Sequence, residues 1–407
     1  MVDSANASGG RSRGWWILAA LVFLVALNLR PPITSVGPLL PQLGAELRID
    51  KGMQGLLGAL PLITFGIVSP LVHFVSRRLG PDRTMFLALL VLTAGTAVRS
   101  YTGGAGLWIG TVIIGSAIAV GNVLMPTLVK RDYGSRVSLA TGIYTACINI
   151  AAGVASGLAV PLAHAGGWRW GLAFWGIPSL VVALLWIMRL RALRPAREGA
   201  AAPARSRTST APADQALISV WRQPTAWLLT AFMGMQSTTF YVLVTWLPTI
   251  EATSGISPEQ SGVHLLLFQA VGAFAGLAIS RLLRGSGSQT TAAITASIPI
   301  LIGVLGLLAF PSFGALWAVI TGMGVSSSFV VCLTLMSLRG RTSQETTKLS
   351  GMSQSLGYIG AAIGPVVAGL LAEATGGWTA SLTLLAVIAG AQIVVAGLAG
   401  RVPHDRQ

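Results

Sequence analysis

The sequence predicts an all-α polytopic membrane protein, with twelve transmembrane helices arranged as two pseudo-symmetric six-helix bundles. Three observations carry this. Of 407 residues, 53% are hydrophobic and 10% charged, whereas a soluble chain is about one quarter charged. Apolar runs of about 20 residues, each long enough to cross a hydrocarbon core, recur between short polar loops. Sequence landmarks also repeat from one half of the chain to the other.

The apolar runs fall at roughly 15–43, 54–75, 84–101, 107–128, 137–163, 170–190, 224–250, 260–283, 289–310, 314–338, 348–373 and 378–400. They divide the chain into a leader (1–14), a first bundle (15–190), a linker (191–222), a second bundle (223–400) and a tail (401–407). The linker is rich in Ala, Pro, Arg, Ser and Thr, as a flexible connection would be.

The net charge of +15 points to topology rather than to nucleic acid. With the N-terminus placed in the cytoplasm and the spans alternating, all but five of the 27 basic residues fall on the cytoplasmic side. The exceptions are Arg48, Lys51, Arg99 and Arg169 outside, and Arg30 within the membrane. This positive-inside pattern puts both termini in the cytoplasm. Cys147 and Cys332 lie in separate spans and read as packing residues rather than a disulfide framework.

The repeats keep their order. Leu40-Pro41 ends span 1 and Leu247-Pro248 ends span 7; Ser76-Arg77-Arg78 follows span 2 and Ser280-Arg281 follows span 8. Gly166-Gly167-Trp168 precedes span 6 and Gly376-Gly377-Trp378 precedes span 12. A parallel duplication of this kind places a solute site near the midplane between the halves.

Within span 1, Asn28-Leu29-Arg30-Pro31-Pro32-Ile33-Thr34-Ser35 sets a cation beside two prolines. Counted along a helix, Arg30 lies roughly 22 Å from the cytoplasmic end. A charge at that depth is costly and is kept for function. The prolines remove backbone donors and break the helix there. A guanidinium is a planar fork of donors suited to a small anion, a carboxylate or a nitro group. Thr34, Ser35 and Asn28 are positioned to complete a cradle, and Asn28 alternatively caps the break. The structural reading of Arg30 itself is a cap on the carbonyls of the broken helix.

Further polar residues inside spans are expected to face the bundle interior. They are Asn122 in span 4, Tyr144 and Asn149 in span 5, Gln236 and Tyr241 in span 7, and Gln354 and Tyr358 in span 11. The bland reading of each is an interhelical hydrogen bond. Trp246 reads as an interfacial belt aromatic, and His73 and His264 as interfacial or packing residues. Gly153 with Gly157, and Gly360 with Gly364, have the spacing that lets helices approach closely. No acidic residue is expected at mid-depth; Glu373 comes nearest. Neither a metal-ligand cluster nor a nucleotide-binding glycine loop is present, so an enzyme is not expected.

Six plus six helices with a basic loop between spans 2 and 3 resemble the major facilitator superfamily. In that loop Arg78-Leu79-Gly80 and Arg83 match the family motif, while Arg77 stands where the motif has an Asp. A salt bridge relying on that Asp is therefore in question. The stretch Leu27–Leu40 is similar to the span 1 signature of the cyanate/nitroimidazole permease branch (CynX/NimT). So are Gly121-Asn122-Val123-Leu124-Met125-Pro126 with Val129-Lys130-Arg131-Asp132, Gln236-Ser237 with Tyr241 and Trp246-Leu247-Pro248, and Gly351-Met352-Ser353-Gln354-Ser355-Leu356-Gly357-Tyr358.

The resemblance implies a secondary or facilitative transporter working by alternating access, with a gating loop of Arg77, Arg78, Gly80, Arg83, Lys130, Arg131 and Asp132. The implied solute is small and anionic or polar, like cyanate or a nitroimidazole. Efflux of small toxic compounds is the alternative, and a non-transporting sensor or scaffold is a reading of a different class. The partners expected are that solute and the lipid bilayer, for a chain acting as a monomer without cofactor or metal.

Overall fold

The computed structural model describes residues 13–133, 137–198, 220–279, 281–283, 289–340 and 343–401. Residues 1–12 of the expected leader, 199–219 of the linker and 402–407 of the tail lie outside them, as does the side chain of His73. Among the described residues every regular element is helical.

Span 1 is broken, and the prolines account for it. It runs as Arg13–Ala26, Pro31–Thr34, a 3-10 turn at Gly37–Leu39, and Leu40–Leu47. Pro31 and Pro32 cannot donate, so the first helix stops before them and a second begins on Pro31, a residue pre-set for the first turn. The Arg30 carbonyl then accepts from Ile33 and Thr34 at 2.9 and 3.0 Å, which restarts the helix.

The other spans follow the apolar runs. Spans 2 to 6 are Lys51–Leu79, Pro81–Tyr101, Gly103–Tyr133, Val137–Ala173 and Gly176–Glu198. Spans 7 to 12 are Pro224–Ala252, Pro258–Ile279, Thr290–Ala309, Gly314–Arg339, Ser343–Ala374 and Thr379–Gly400. Eleven of the twelve, span 6 excepted, are long and apolar enough to cross a membrane by length and composition. Helix continues to Glu198, beyond the boundary at 190 that the change in composition implied.

The duplication is visible in the packing. In each half the second span packs on the fourth, the third on the fourth, and the third on the sixth. Across the halves span 2 packs on span 11 and span 5 on span 8, a pair of contacts that a two-fold operation would exchange. The Gly-Gly-Trp landmarks mark equivalent breaks. Gly167 (φ 75°) and Gly376 (φ 69°) take left-handed conformations that reverse the chain. The tryptophan of each landmark, Trp168 and Trp378, is buried in the same apolar core.

An even number of crossings brings the first and last helices to one end, here called the terminal face; the other is the distal face. The halves meet at the distal face. A Cβ on Gly37 would lie 2.1 Å from the Val244 carbonyl, and one on Gly55 2.3 Å from the Pro365 carbonyl. Gly153 and Gly157 sit against Leu266, the close approach their spacing predicts. A Cβ on Gly360, by contrast, would meet nothing within 4 Å, so that glycine does not mediate a close crossing. Toward the terminal face the halves part. No residue from Thr141 to Ile150 of span 5 is buried, whereas burial resumes from Ala151. Gly142 and Gly351 likewise face open space.

Candidate functional site

The break in span 1 delivers Arg30 to mid-height between the halves. Its Nη1 donates to the Tyr241 hydroxyl of span 7 at 2.9 Å. Its guanidinium lies over the rings of Phe240 and Tyr241, 5.5 and 5.8 Å from their centroids, within cation–π range. Tyr241 meets Tyr358 of span 11 edge-on at 6.5 Å, and Tyr358 meets Phe65 of span 2 at 6.3 Å. Spans 1 and 7 thus place a cation against aromatic rings, and Tyr358 of span 11 and Phe65 of span 2 extend that cluster. The described ion pairs join Arg131, Arg169, Arg189, His164 and His264 to carboxylates, and Arg30 is in none of them. A guanidinium has five donors, and a single phenol oxygen leaves most of them available.

The structure brings together Arg30, Tyr241 and Tyr358 from the sequence-derived set. It commits others elsewhere in this conformation. The Asn28 amide donates to the Leu24 carbonyl at 2.8 Å, so the capping reading holds for it. The Thr34 hydroxyl donates to the Ala152 carbonyl of span 5 at 2.9 Å. The Thr34 carbonyl accepts from Ser156, which also accepts from Gln269 of span 8. Thr34 therefore belongs to a bonded chain across spans 1, 5 and 8 rather than to a cradle around Arg30. Ser35 is fully buried, and its hydroxyl has no partner among the described residues. Gln236 is buried and donates to Ser237 at 2.7 Å, and Gln354 donates to Ser350 at 3.4 Å. Asn122 is exposed and Asn149 partly so. Tyr144 packs against the apolar core of the first half.

At the terminal face, spans 3, 4 and 6 hold a second constellation. Arg131 reaches both Asp82 oxygens, at 2.5 and 2.9 Å, and donates through Nε to Asp132 at 2.9 Å. Arg189 donates to Asp82 at 2.8 Å and to Asp132, and its Nη1 reaches the Leu18 carbonyl of span 1 at 2.8 Å. Trp186 stacks on Arg189 and donates to the Asp82 carbonyl. Two arginines and two aspartates balance, which makes their burial sustainable.

This corrects the doubt raised by Arg77: the carboxylate comes from Asp82, five residues later. Arg77, Arg78, Arg83 and Lys130 are exposed and stand outside the network. Gly80 supplies the turn between spans 2 and 3, at φ 81°. Arg131 and Asp132 were legible in the sequence. Asp82 looked like a loop residue, and Arg189 was hidden within a basic run.

Other expectations change as well. Arg99, placed outside by topology, is 1% exposed. It donates to the Pro32 carbonyl at 2.5 Å and weakly to the Leu172 carbonyl at 3.4 Å. Arg30 is therefore not the one deep cation, and Arg99 braces the break beside it. Trp246 is wholly buried, donating to the Pro365 carbonyl and packing on Trp378, so it is core rather than belt. Glu373 is exposed, and at the same distal end Glu251 of span 7 is buried and faces His264.

Comparison with known proteins agrees with this architecture. The family model described as Major Facilitator Superfamily matches residues 16–343. The uncharacterized transporter YycB of Bacillus subtilis (strain 168) is 38% identical over 96% of this chain and 93% of its own. The 2-nitroimidazole transporter of Escherichia coli (strain K12) is 34% identical over 95% of both chains. The cyanate transport protein CynX of the same organism is 27% identical over 88% of this chain and 90% of its own. Among solved structures, a bacterial homolog of the human lysosomal transporter Spinster, inward-facing and occupied, superposes with TM-score 0.73 at 15% identity. It covers 96% of this chain and 97% of that one. A D-xylose-proton symporter gives 0.72 at 13%, covering 94% and 96%. The chain is a multi-pass membrane transporter, not an enzyme, and it belongs to the Major Facilitator Superfamily.

Proposed function

We propose that this protein carries a small anionic or strongly polarised solute across the cell membrane by alternating access, with Arg30 as its anchor. The observation that carries the reading is an unmatched guanidinium against aromatic rings at the boundary of the halves. Arg30 is half-buried at mid-depth with one phenol oxygen as its described side-chain acceptor, so an anionic ligand would complete its donor set. The rings of Phe240 and Tyr241 beside Arg30, with Tyr358 next to Tyr241, favour a planar solute, and a relative named as a 2-nitroimidazole transporter agrees with that shape. A nitroheterocycle offers both a ring to stack and a nitro group for the fork, so it ranks above linear cyanate. The positive-inside distribution makes the terminal face cytoplasmic, and the cleft then opens inward.

The test is ligand-induced thermal stabilisation of the purified protein across a panel of nitroheterocycles and small anions, with Arg30→Ala alongside. A ligand that stabilises the native protein and not the folded variant supports the anchor. A ligand that stabilises both equally makes Arg30 structural and moves the site to Asn122, Asn149 and Gln354.

A further inference from the structure

Glu251 ends span 7 with its side chain 1% exposed, while facing His264 of span 8 at 2.9 Å. One carboxylate oxygen is engaged, and Oε2 has no hydrogen-bond partner among the described residues. The Ser261 hydroxyl is beside the carboxylate, also buried and without a hydrogen bond of good geometry. Span 10 closes the pocket from the other side, since a Cβ on Gly314 would lie 2.3 Å from Glu251 Oε1. An ionised carboxylate with a bare oxygen and a neutral imidazole would bury one net negative charge, which is unfavourable away from water. One proton shared by the pair leaves it neutral overall.

The two partners stand on the helices that shut the distal face. Span 7 meets Gly37 and Gly58 of the first half through Val244 and Thr245, about two helical turns before Glu251. Span 8 meets Ser156 and Gly157 of span 5 at Gly262, two residues before His264. Parting the halves at this end strips span 5 from span 8 and admits water to the His264 side.

Other charged groups at this end are engaged or exposed, and Arg99 of span 3 is bonded to the Pro32 and Leu172 carbonyls. Glu259 of span 8 pairs with His164 of span 5 at 3.5 Å, and Glu46 of span 1 pairs with Arg169 at 2.6 Å; both pairs are exposed. Lys51 of span 2 stacks on Trp378, Asp50 caps span 2 through Met53, and Arg48 and Glu373 are exposed. His264 is the group bonded to Glu251.

We propose that Glu251 and His264 form a one-proton binding site that holds the distal gate shut when occupied. Loss of the proton favours the open gate, where water solvates the carboxylate. Closure of the distal face therefore takes up one proton, and acid favours the closed form.

The experiment needs no transported solute and so does not depend on the Arg30 reading. Spin labels at Ala45→Cys and Thr253→Cys, both exposed and on opposite halves, report the distance across the distal face. The background carries Cys147→Ala and Cys332→Ala. Distances are measured from about pH 5 to about pH 9, which brackets ordinary carboxylate and imidazole titration. With Glu251 and His264 intact, the open-to-closed ratio is expected to rise with pH, by up to about tenfold per unit for one linked proton. Glu251→Gln should lose the rise of the open-to-closed ratio with pH, because no carboxylate remains to hold the proton. His264→Gln should keep a pH response but displace its midpoint, because the imidazole no longer shares the proton. His164→Gln should behave as the unsubstituted protein. A flat response with Glu251 and His264 intact overturns the proposal, and so does a Glu251→Gln response as steep as that one. Should Glu251→Gln fail to fold, an unmoved midpoint in His264→Gln overturns it instead.

Discussion

Arg189 and Arg30 are both arginines drawn into the membrane-spanning body, and they differ in what meets them. Arg189 is fully buried, with two carboxylates, a carbonyl and an indole face around it. Arg30 has a phenol oxygen and ring faces. Arg99 is intermediate, meeting two backbone carbonyls and no carboxylate among the described ion pairs. Burial alone therefore does not identify a binding residue. The informative quantity is the mismatch between the donors a cation presents and the acceptors the fold supplies. Where they balance, the residue fastens helices together; where they do not, a ligand can complete the set.

The largest effect that tests this contrast is on stability. Arg189→Ala leaves Asp82 and Asp132 facing one remaining arginine in a buried site, and breaking a buried pair costs about 3–5 kcal/mol. Thermal unfolding in detergent should show this as a marked loss, which Asp132→Asn in the same chain partly restores. Arg30→Ala should leave the unfolding temperature nearly unchanged while removing solute binding. If both arginines cost the same stability, the distinction between fastener and anchor fails.

The contrast also marks how far the sequence could be read. The twelve spans were legible because apolar runs and loop charges are one-dimensional signals, and the break in span 1 because proline chemistry is local. Arg30, Tyr241 and Tyr358 were legible as polar groups in apolar runs. Phe65 and Phe240 were not, since an aromatic inside a hydrophobic run carries no mark that separates it from ordinary core. Asp82, Arg99, Arg189 and Glu251 lie near the ends of spans, where a charge reads as a loop residue. Only packing shows that these ends are covered: Arg189 by span 1, and Glu251 by spans 8 and 10.

A moderate effect is expected at Arg99. Arg99→Leu keeps apolar bulk but leaves the Pro32 and Leu172 carbonyls without that donor, at about 1–3 kcal/mol for an unsatisfied buried group. Because Pro32 is two residues from Arg30, the variant should also loosen the anchor. Solute affinity should fall by less than in Arg30→Ala while stability falls by more. Calorimetric unfolding and ligand binding on the same sample separate the two. Full affinity with reduced stability would make Arg99 a brace for the fold and not for the site.

The smallest effect sharpens the comparison most. Tyr241→Phe removes one oxygen and keeps the ring, so the aromatic cluster survives and Arg30 loses its one described side-chain acceptor. With Nη1 donating to its oxygen, the Tyr241 hydroxyl still has its own hydrogen to give, and the site between Arg30 and Tyr358 is where an anionic group would receive it. The Phe variant should therefore bind the solute more weakly, by roughly threefold to tenfold, as for loss of one net hydrogen bond of about 1 kcal/mol. Titration of the variant against a nitroheterocycle measures this. A gain in affinity would mean that the phenol oxygen is a placeholder the solute must displace, and that the unmatched charge of Arg30 carries the recognition by itself.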